Sequence, residues 1–419
     1  MCHLLRLGTS VIIVFWILLN SGTPAHSQEP FTLEAIVELV EQHHPGLQAA
    51  RAEIEAARGG RRTAAAYPNP AIEFGTGPSR FRGDRGGAGR SKIFGLSQPL
   101  DYPSTRAARI DAAEAGIDAA RAGFQSSRVQ LLAQVRTAFY DILRREEERK
   151  VAQEDLGLLE QIRNRVKLRV EIGESPKYEQ VKAEAEVLSA TKNFESATLR
   201  VSQAKSVLRN FIGPPLPGEF EVKGVLASLS TLPALDELRR EVGERNPDIT
   251  RSLAVERAAG ATLNLQRRLR FPQITLQTTL EEDPDLRQWR FGISLPLPVW
   301  DRRRGPIAEA SAVLNRSQFL SQQSRLTLTR ELETVYHRYL IANRQVDAFE
   351  RGLLKEAENA MKVAETAYRL GERGVLDFLD AQRVLRSVRL DFINARYELQ
   401  AALVEIQRLS ASDLDGRNE

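Results

Sequence analysis

The 419-residue chain carries 59 basic and 55 acidic residues, a net charge of +4, with both signs interleaved along its length. That mixture belongs to solvated helix faces and excludes the one-sided basic patch of a nucleic-acid-binding protein. The single cysteine, Cys2, excludes an intramolecular disulfide, so stability must come from packing.

At the N-terminus, Arg6, the apolar run Val11 to Leu19 and the small-residue site Ala25-His26-Ser27 read as a secretory signal peptide over 1–27, with a mature chain starting near Gln28. The apolar run is about half the ~20 residues that a membrane-spanning helix needs. Cys2 lies too far upstream of Ser27 to carry a lipid at the cleavage site. No later stretch approaches ~20 apolar residues, so if the mature chain enters a membrane it must do so as closed β-structure.

From 28 to 212 the predicted order begins with Leu33-Glu34-Ala35 leading into His44-Pro45 on a helix. A strand-like run through Ile72 and Phe74 follows, then a Gly/Arg-rich loop from Gly75 to Arg90, then a second run through Phe94, Leu96 and Leu100. Between Ser104 and Ile172 neither proline nor a Gly-rich turn interrupts a sequence made mostly of strong helix formers. One helix of that length would be a rod on the order of 100 Å long, against a mean globular helix of ~11 residues, and requires coiled-coil partners. After a turn at Gly173-Glu174, a seam of Ala183, Val187, Ala190, Phe194, Ala197, Val201, Ala204, Leu208 and Phe211 alternates steps of three and four. Alanine at every other seam position lets neighbouring helices approach closely.

The segment 213–232 opens on Gly213-Pro214-Pro215-Leu216-Pro217-Gly218, a strong helix stop, and reads as a linker. A second copy of the same order then occupies 233–412, ahead of a short tail at 413–419. His44-Pro45-Gly46-Leu47 matches Asn246-Pro247-Asp248-Ile249, Gly95 to Leu100 matches Gly292 to Leu297, and Gly173-Glu174 matches Gly371-Glu372, all about 200 residues apart. Its strands are clearer. Ile274, Leu276, Thr278 and Leu280 precede the acidic loop Glu281-Glu282-Asp283-Pro284-Asp285, and Trp289, Phe291, Ile293, Leu295 and Leu297 then alternate with polar or small residues. A second long helix spans Pro306 to Leu370, and a second seam runs through Phe378, Ala381, Leu385, Val388, Phe392, Ala395, Leu399, Ala402, Ile406 and Leu409.

The fold class expected is mostly α with a small transmembrane β part. Four short amphipathic strands cannot close a cylinder in lipid, because the smallest bacterial barrels use about eight. Three chains would contribute twelve strands, with the helices continuing the wall as an α-helical barrel. A soluble periplasmic coiled-coil adaptor or scaffold would share the signal peptide and the seams, and differs in keeping its strands in a water-soluble domain.

Along essentially the whole mature chain these residues resemble the TolC-like outer membrane factor family. The resemblance is carried by Tyr67-Pro68-Asn69-Pro70, Leu96-Ser97-Gln98-Pro99-Leu100 and, above all, Tyr368-Arg369-Leu370-Gly371-Glu372 followed by Leu376-Asp377-Phe378-Leu379-Asp380-Ala381-Gln382. The Asn-Pro and Ser-Gln-Pro-Leu phrasing is most similar to the heavy-metal, CzcC-like branch. The resemblance implies a homotrimeric exit duct in outer-membrane lipid, extending through the periplasm to a membrane fusion adaptor and an inner-membrane pump of the RND type. It also implies adaptor contacts at Arg369, Leu370, Gly371, Glu372 and Arg373, with Gly173, Glu174 and Ser175 in the first copy. The pore constriction it implies falls at Asp377 and Asp380, matched in the first copy by Glu179, with Lys182 replacing the second acid. Asp377 and Asp380 are three apart and share a helix face, so threefold symmetry would ring an opening with carboxylates. The competing role for them is to favour the first turn of their helix.

No cofactor, metal site or catalytic constellation is expected. His43 and His44 are adjacent, and neighbouring helical residues point about 100° apart and seldom share a ligand. The loop Gly75 to Arg90 lacks the Lys-Ser/Thr ending of a phosphate-binding loop and reads as an extracellular segment facing lipopolysaccharide phosphates.

Overall fold

The computed structural model describes residues 30–80, 88–213 and 216–411. The signal peptide with Cys2, the middle of the first hairpin loop, Pro214-Pro215 and the 413–419 tail lie outside the described residues. The first half contains α1 (Leu33–His43), α2 (Pro45–Ala65), β1 (Ala71–Arg80), β2 (Ala88–Leu100), α3 (Pro103–Glu171) and α4 (Lys177–Ile212). The second half repeats it with α5 (Leu235–Arg245), α6 (Pro247–Arg268), β3 (Ile274–Asp283), β4 (Leu286–Ser294), α7 (Arg304–Ala348), a π-helical turn (Phe349–Leu353), α8 (Leu354–Arg369) and α9 (Val375–Ser410).

The repetition extends to the caps. His44 Nδ1 accepts the Gly46 N–H at 3.0 Å, and Asn246 Oδ1 accepts those of Asp248 and Ile249 at 2.8 and 3.2 Å. Each cap precedes a proline at the first helical position, where a missing N–H leaves no bond unmade. Asn246 is wholly buried and also donates to the Leu409 carbonyl at 2.8 Å, tying the start of α6 to the end of α9.

The 69 residues of α3 make a rod of roughly 100 Å at 1.5 Å per residue. It is the spine of a ribbon four helices wide. Toward the sheet the order is α2-α3-α6-α7, and toward the far end it becomes α4-α3-α9 followed by α7 and α8. The coiled-coil seams lie inside this ribbon: Ala183, Val187, Ala190, Ala197, Val201, Ala204 and Leu208 of α4 are buried, as are Phe378, Leu385, Ala395, Leu399, Ala402, Ile406 and Leu409 of α9. Each fully buried leucine contributes about 2 kcal/mol of transfer free energy, so the seams hold the ribbon without a disulfide.

Two features of the helices and the linker differ from the sequence expectation. The second long helix is not continuous. Gly352 leaves helical dihedrals, and the π-turn Phe349–Leu353 absorbs the irregularity while Phe349 packs on Phe392 at 5.5 Å. The segment from Leu216 to Leu226 is more than a connection. Leu216, Phe220, Val222 and Leu226 are buried in one core with Ile36, Val40, Phe139 and Leu208. Phe31 and Val222 bridge in parallel there, through Phe31 N–H to Glu221 O at 2.8 Å and Lys223 N–H to Phe31 O at 2.9 Å.

The strands form one antiparallel sheet in the order β1-β2-β3-β4, so the two hairpins meet at the β2–β3 seam. The strands reach further into the hairpins than the sequence suggested. Asp283 pairs with Leu286, leaving a two-residue turn of Pro284-Asp285, and β1 pairs with β2 as far as Arg80 and Ala88. Ladder pairing overrides the weak strand propensity of Gly75, Gly77 and the acidic run, and Pro78 is tolerated because β1 is an edge strand. At the other end β4 stops at Ser294, so Leu295 and Leu297 lie beyond it.

Candidate functional site

The register places most of the apolar strand residues on one face, with Ile93 and Leu286 on the other. Ile72 faces Leu96, Leu96 faces Thr278, and Thr278 faces Phe291; one pleat further from the helices, Phe74, Phe94, Leu280 and Trp289 form the next row. Toward the helices, Leu276 and Ile293 and then Leu100 and Ile274 continue the same face. No described residue covers it: Ile72, Phe291 and Ile293 are 81%, 82% and 72% exposed. A water-soluble sheet packs its apolar face on a second layer, whereas a membrane strand presents it to lipid. Phe74, Phe94 and Trp289 mark one level of this band, with the two phenyl rings 5.0 Å apart, and the exposed Tyr67, Phe271 and Trp300 lie at its helical end. Aromatic residues at two levels fit the two interfaces of a bilayer. The opposite face carries Glu73, Ser97, Gln277, Thr279, Glu281, Gln288 and Arg290, and Glu281 accepts from Gln288 and pairs with Arg290, both at 2.9 Å. This polar face suits a water-filled lumen. β1 and β4 are edges, and unpaired backbone cannot face hydrocarbon.

At the other end of the ribbon two turns of one design lie side by side. Gly173 at φ +81° and Gly371 at φ +78° end α3 and α8 in the left-handed conformation that glycine adopts without steric cost. Each turn closes in the same way: Gly173 N–H bonds Val170 O at 3.1 Å and Glu174 N–H bonds Arg169 O at 2.8 Å, while Gly371 N–H bonds Tyr368 O at 3.2 Å and Glu372 N–H bonds Ala367 O at 3.0 Å. Gly173, Glu174, Arg369, Leu370, Gly371, Glu372 and Arg373 are exposed and Ser175 is half-buried, so the expected adaptor-contact residues gather at one tip. The turns are locked together beneath. Tyr368 stacks on Phe378 at 5.6 Å, the Arg169 guanidinium lies 5.1 Å from the Tyr368 ring centre, and the Glu179 carboxylate lies 3.7 Å from where a Cβ on Gly374 would stand. Burial pushes the Tyr368 phenol above its ordinary pKa; the Arg169 charge opposes this and the Glu179 charge adds to it.

Asp377 and Asp380 are exposed on the first turns of α9, and Glu179 is half-buried on the first turn of α4. The two aspartates are not bare. Arg373 lies 3.5 Å from Asp377, and Arg383 lies 3.6 Å from Asp380 and 2.8 Å from Glu186, which also pairs with Lys182 at 3.4 Å. The tip is therefore an alternating ionic network with less net negative charge than an acidic ring alone. The spacings of four and three that produce these pairs are present in the sequence, but attention to the acidic residues missed Arg373 and Arg383 as their partners. Higher in the ribbon, Asp155 of α3 is almost wholly buried and held by Gln382 at 2.7 Å and Arg386 at 2.9 Å, both from α9. Arg408 of α9 reaches Glu405, Glu331 and Asp248 at 2.8, 3.1 and 3.7 Å. Burial alone would lower its pKa, but the Glu405 and Glu331 carboxylates hold it above its ordinary value. Neither the Asp155 cross-link between the two copies nor the Arg408 cluster within the second copy was foreseen from sequence. No cluster of three or more metal-ligating acidic, histidine or cysteine side chains occurs among the described residues, where His44 serves as a helix cap.

A four-stranded sheet with a bare apolar face and two free edges, continuing into a helical ribbon whose spine is ~100 Å long, defines the class of outer-membrane channel proteins that extend into the periplasm. The chain belongs to the outer membrane efflux protein family, whose model matches residues 36–214 and 238–412. It is 26% identical over 404 residues to the cobalt-zinc-cadmium resistance protein CzcC of Cupriavidus metallidurans, spanning 96% of this chain and 93% of that protein. In fold it is similar to the outer-membrane channel OprN, with a TM-score of 0.78 at 20% identity over 91% of this chain and 90% of that one. It is also similar to CusC, with a TM-score of 0.77 at 19% identity over 90% and 91%. The protein is thus an outer-membrane efflux channel component, and the water-soluble scaffold reading falls with the uncovered sheet.

Proposed function

We propose that three copies of the chain assemble into one passive exit duct, with twelve strands closing a β-barrel in the outer membrane and three helical ribbons closing a periplasmic tube. The observation that carries this is the pairing of a lipid-facing apolar sheet with two unsatisfied strand edges, because hydrocarbon admits only closed sheets. The ribbon supports it: Val181, Leu188 and Leu199 on α4 and Phe319, Leu326 and Ile341 on α7 expose apolar side chains along its two opposite edges. Edge-to-edge association of copies would bury both rows.

In this assembly the tip turns at Gly173 and Gly371 meet a periplasmic adaptor that joins the duct to an inner-membrane pump of the RND type, and the pump supplies the energy. The duct itself carries no catalytic step. Asp377, Asp380 and Glu179 narrow the mouth and bias it toward cations, moderated by Arg373 and Arg383. The near full-length similarity to CzcC supports divalent metal cations as cargo. The test is a planar bilayer and a resistance assay. The purified protein should give a steady conductance, and its gene should restore cobalt, zinc or cadmium resistance to a strain lacking only the outer-membrane component. Absence of conductance would remove the channel reading. Restored resistance to organic drugs alone would remove the metal cargo.

A further inference from the structure

Above the apolar band, on the same lipid-facing side of the sheet, the register gathers basic residues. Lys92 faces Glu282, which faces Arg287, one pleat or about 7 Å beyond the Phe94 and Trp289 level. Arg90 and Arg80 follow on that face, opposite Pro78 and Ala88, and Arg80, Arg90, Lys92 and Arg287 are all exposed. Among the described strand residues of this face, four cations therefore stand against one carboxylate, Glu282. None of the four makes an ion pair with a described residue, whereas the inward-facing Arg290 is paired with Glu281 at 2.9 Å. The helices leave from the opposite end of every strand, so this belt lies at the extracellular interface.

We propose that this belt binds the phosphate groups of the glycolipid in the outer leaflet, with the acyl chains of a bisphosphorylated lipid A against Phe74, Phe94, Phe291 and Trp289 and its phosphates between Arg90, Lys92 and Arg287. The inference rests on the outer-membrane placement of the sheet. Charge and height commit the occupant. Unpaired cations above an aromatic row favour a dianionic headgroup over a zwitterionic one, because the zwitterion's ammonium cancels the attraction. Guanidinium groups on neighbouring strands can each take two phosphate oxygens.

Full-chain protein in detergent is titrated with bisphosphorylated lipid A, monophosphorylated lipid A, phosphatidylglycerol and inorganic phosphate, with lipid retention read by native mass spectrometry. Bisphosphorylated lipid A should bind tightest. The triple variant R90A/K92A/R287A should weaken it by roughly tenfold or more at low salt, while Arg290→Ala on the inward face leaves it unchanged. Binding by the triple variant equal to that of the natural protein would overturn the proposal, as would phosphatidylglycerol or inorganic phosphate binding as tightly as lipid A. Conductance in plain phospholipid bilayers separates the two readings. The triple variant should conduct like the natural protein; absence of conductance from both, with lipid A bound by the natural protein and weakened in the triple variant, would count against the duct while leaving the belt in place.

Discussion

Gly371 and Gly173 hold backbone conformations that a side chain disfavours, at the two turns that shape the tip. Substituting either by alanine should cost about 1 kcal/mol through strain alone, since nothing crowds the added Cβ, and the double variant should lower the thermal midpoint of the assembled protein measurably. Arg373 offers a test of the mouth. Its exposed pair with Asp377 is worth at most about 0.5 kcal/mol, so Arg373→Ala should leave stability unchanged and raise single-channel cation selectivity; Asp377→Ala with Asp380→Ala should lower it. Unchanged selectivity in both variants would remove the pore role of these residues. Asp155 is the opposite case. Its replacement by alanine leaves the buried Gln382 amide and the half-buried Arg386 guanidinium without their carboxylate and should cost about 2 kcal/mol, with Asp155→Asn intermediate, measured by denaturant unfolding. Tyr368 carries a pH dependence of defined sign: burial favours the neutral phenol in the folded state, so its contribution is complete below the ordinary tyrosine value near ~10 and is lost as pH rises through the higher folded value. Tyr368→Phe should flatten the alkaline fall in stability followed by circular dichroism.

Among the elements, the strands read most directly from sequence and the helical cross-links least. Trp289, Phe291 and Ile293 alternate with small or polar residues because one face meets lipid and the other water, and that period survives translation into structure intact. The seams of α4 and α9 were equally legible, because steps of three and four return to one stripe that is buried at most positions and half-buried at Phe194, Phe211, Ala381, Val388 and Phe392. The π-turn at Gly352 was not, since a lone glycine in a helical run more often passes as a small destabilisation than as a break. Asp155, Gln382 and Arg386 escaped notice because partners separated by more than 200 residues leave no local period, and the ends of β1 and β2 were hidden by glycines that only the ladder organises. The sheet makes its own prediction. Phe291→Arg at the middle of the apolar band should cost on the order of 2–4 kcal/mol per strand and abolish the three-chain particle extracted from the envelope, whereas Gly292→Ser on the lumen face should preserve it.

Over the whole molecule, duplication explains why a channel of this size needs so little specialised chemistry. Two copies of one unit supply two hairpins, two long helices and two tip turns, and the pseudo-symmetry turns each strand and helix edge into a surface that another copy of the chain can complete. Stability then comes from packing along the ribbon, and assembly from what the ribbon and sheet leave open. The most direct test is the mass of the particle that detergent extracts from the envelope, measured by native mass spectrometry. Three chains per particle, retained in membranes after high-salt washing, is the predicted result. A single chain released into the aqueous fraction by salt alone would contradict it.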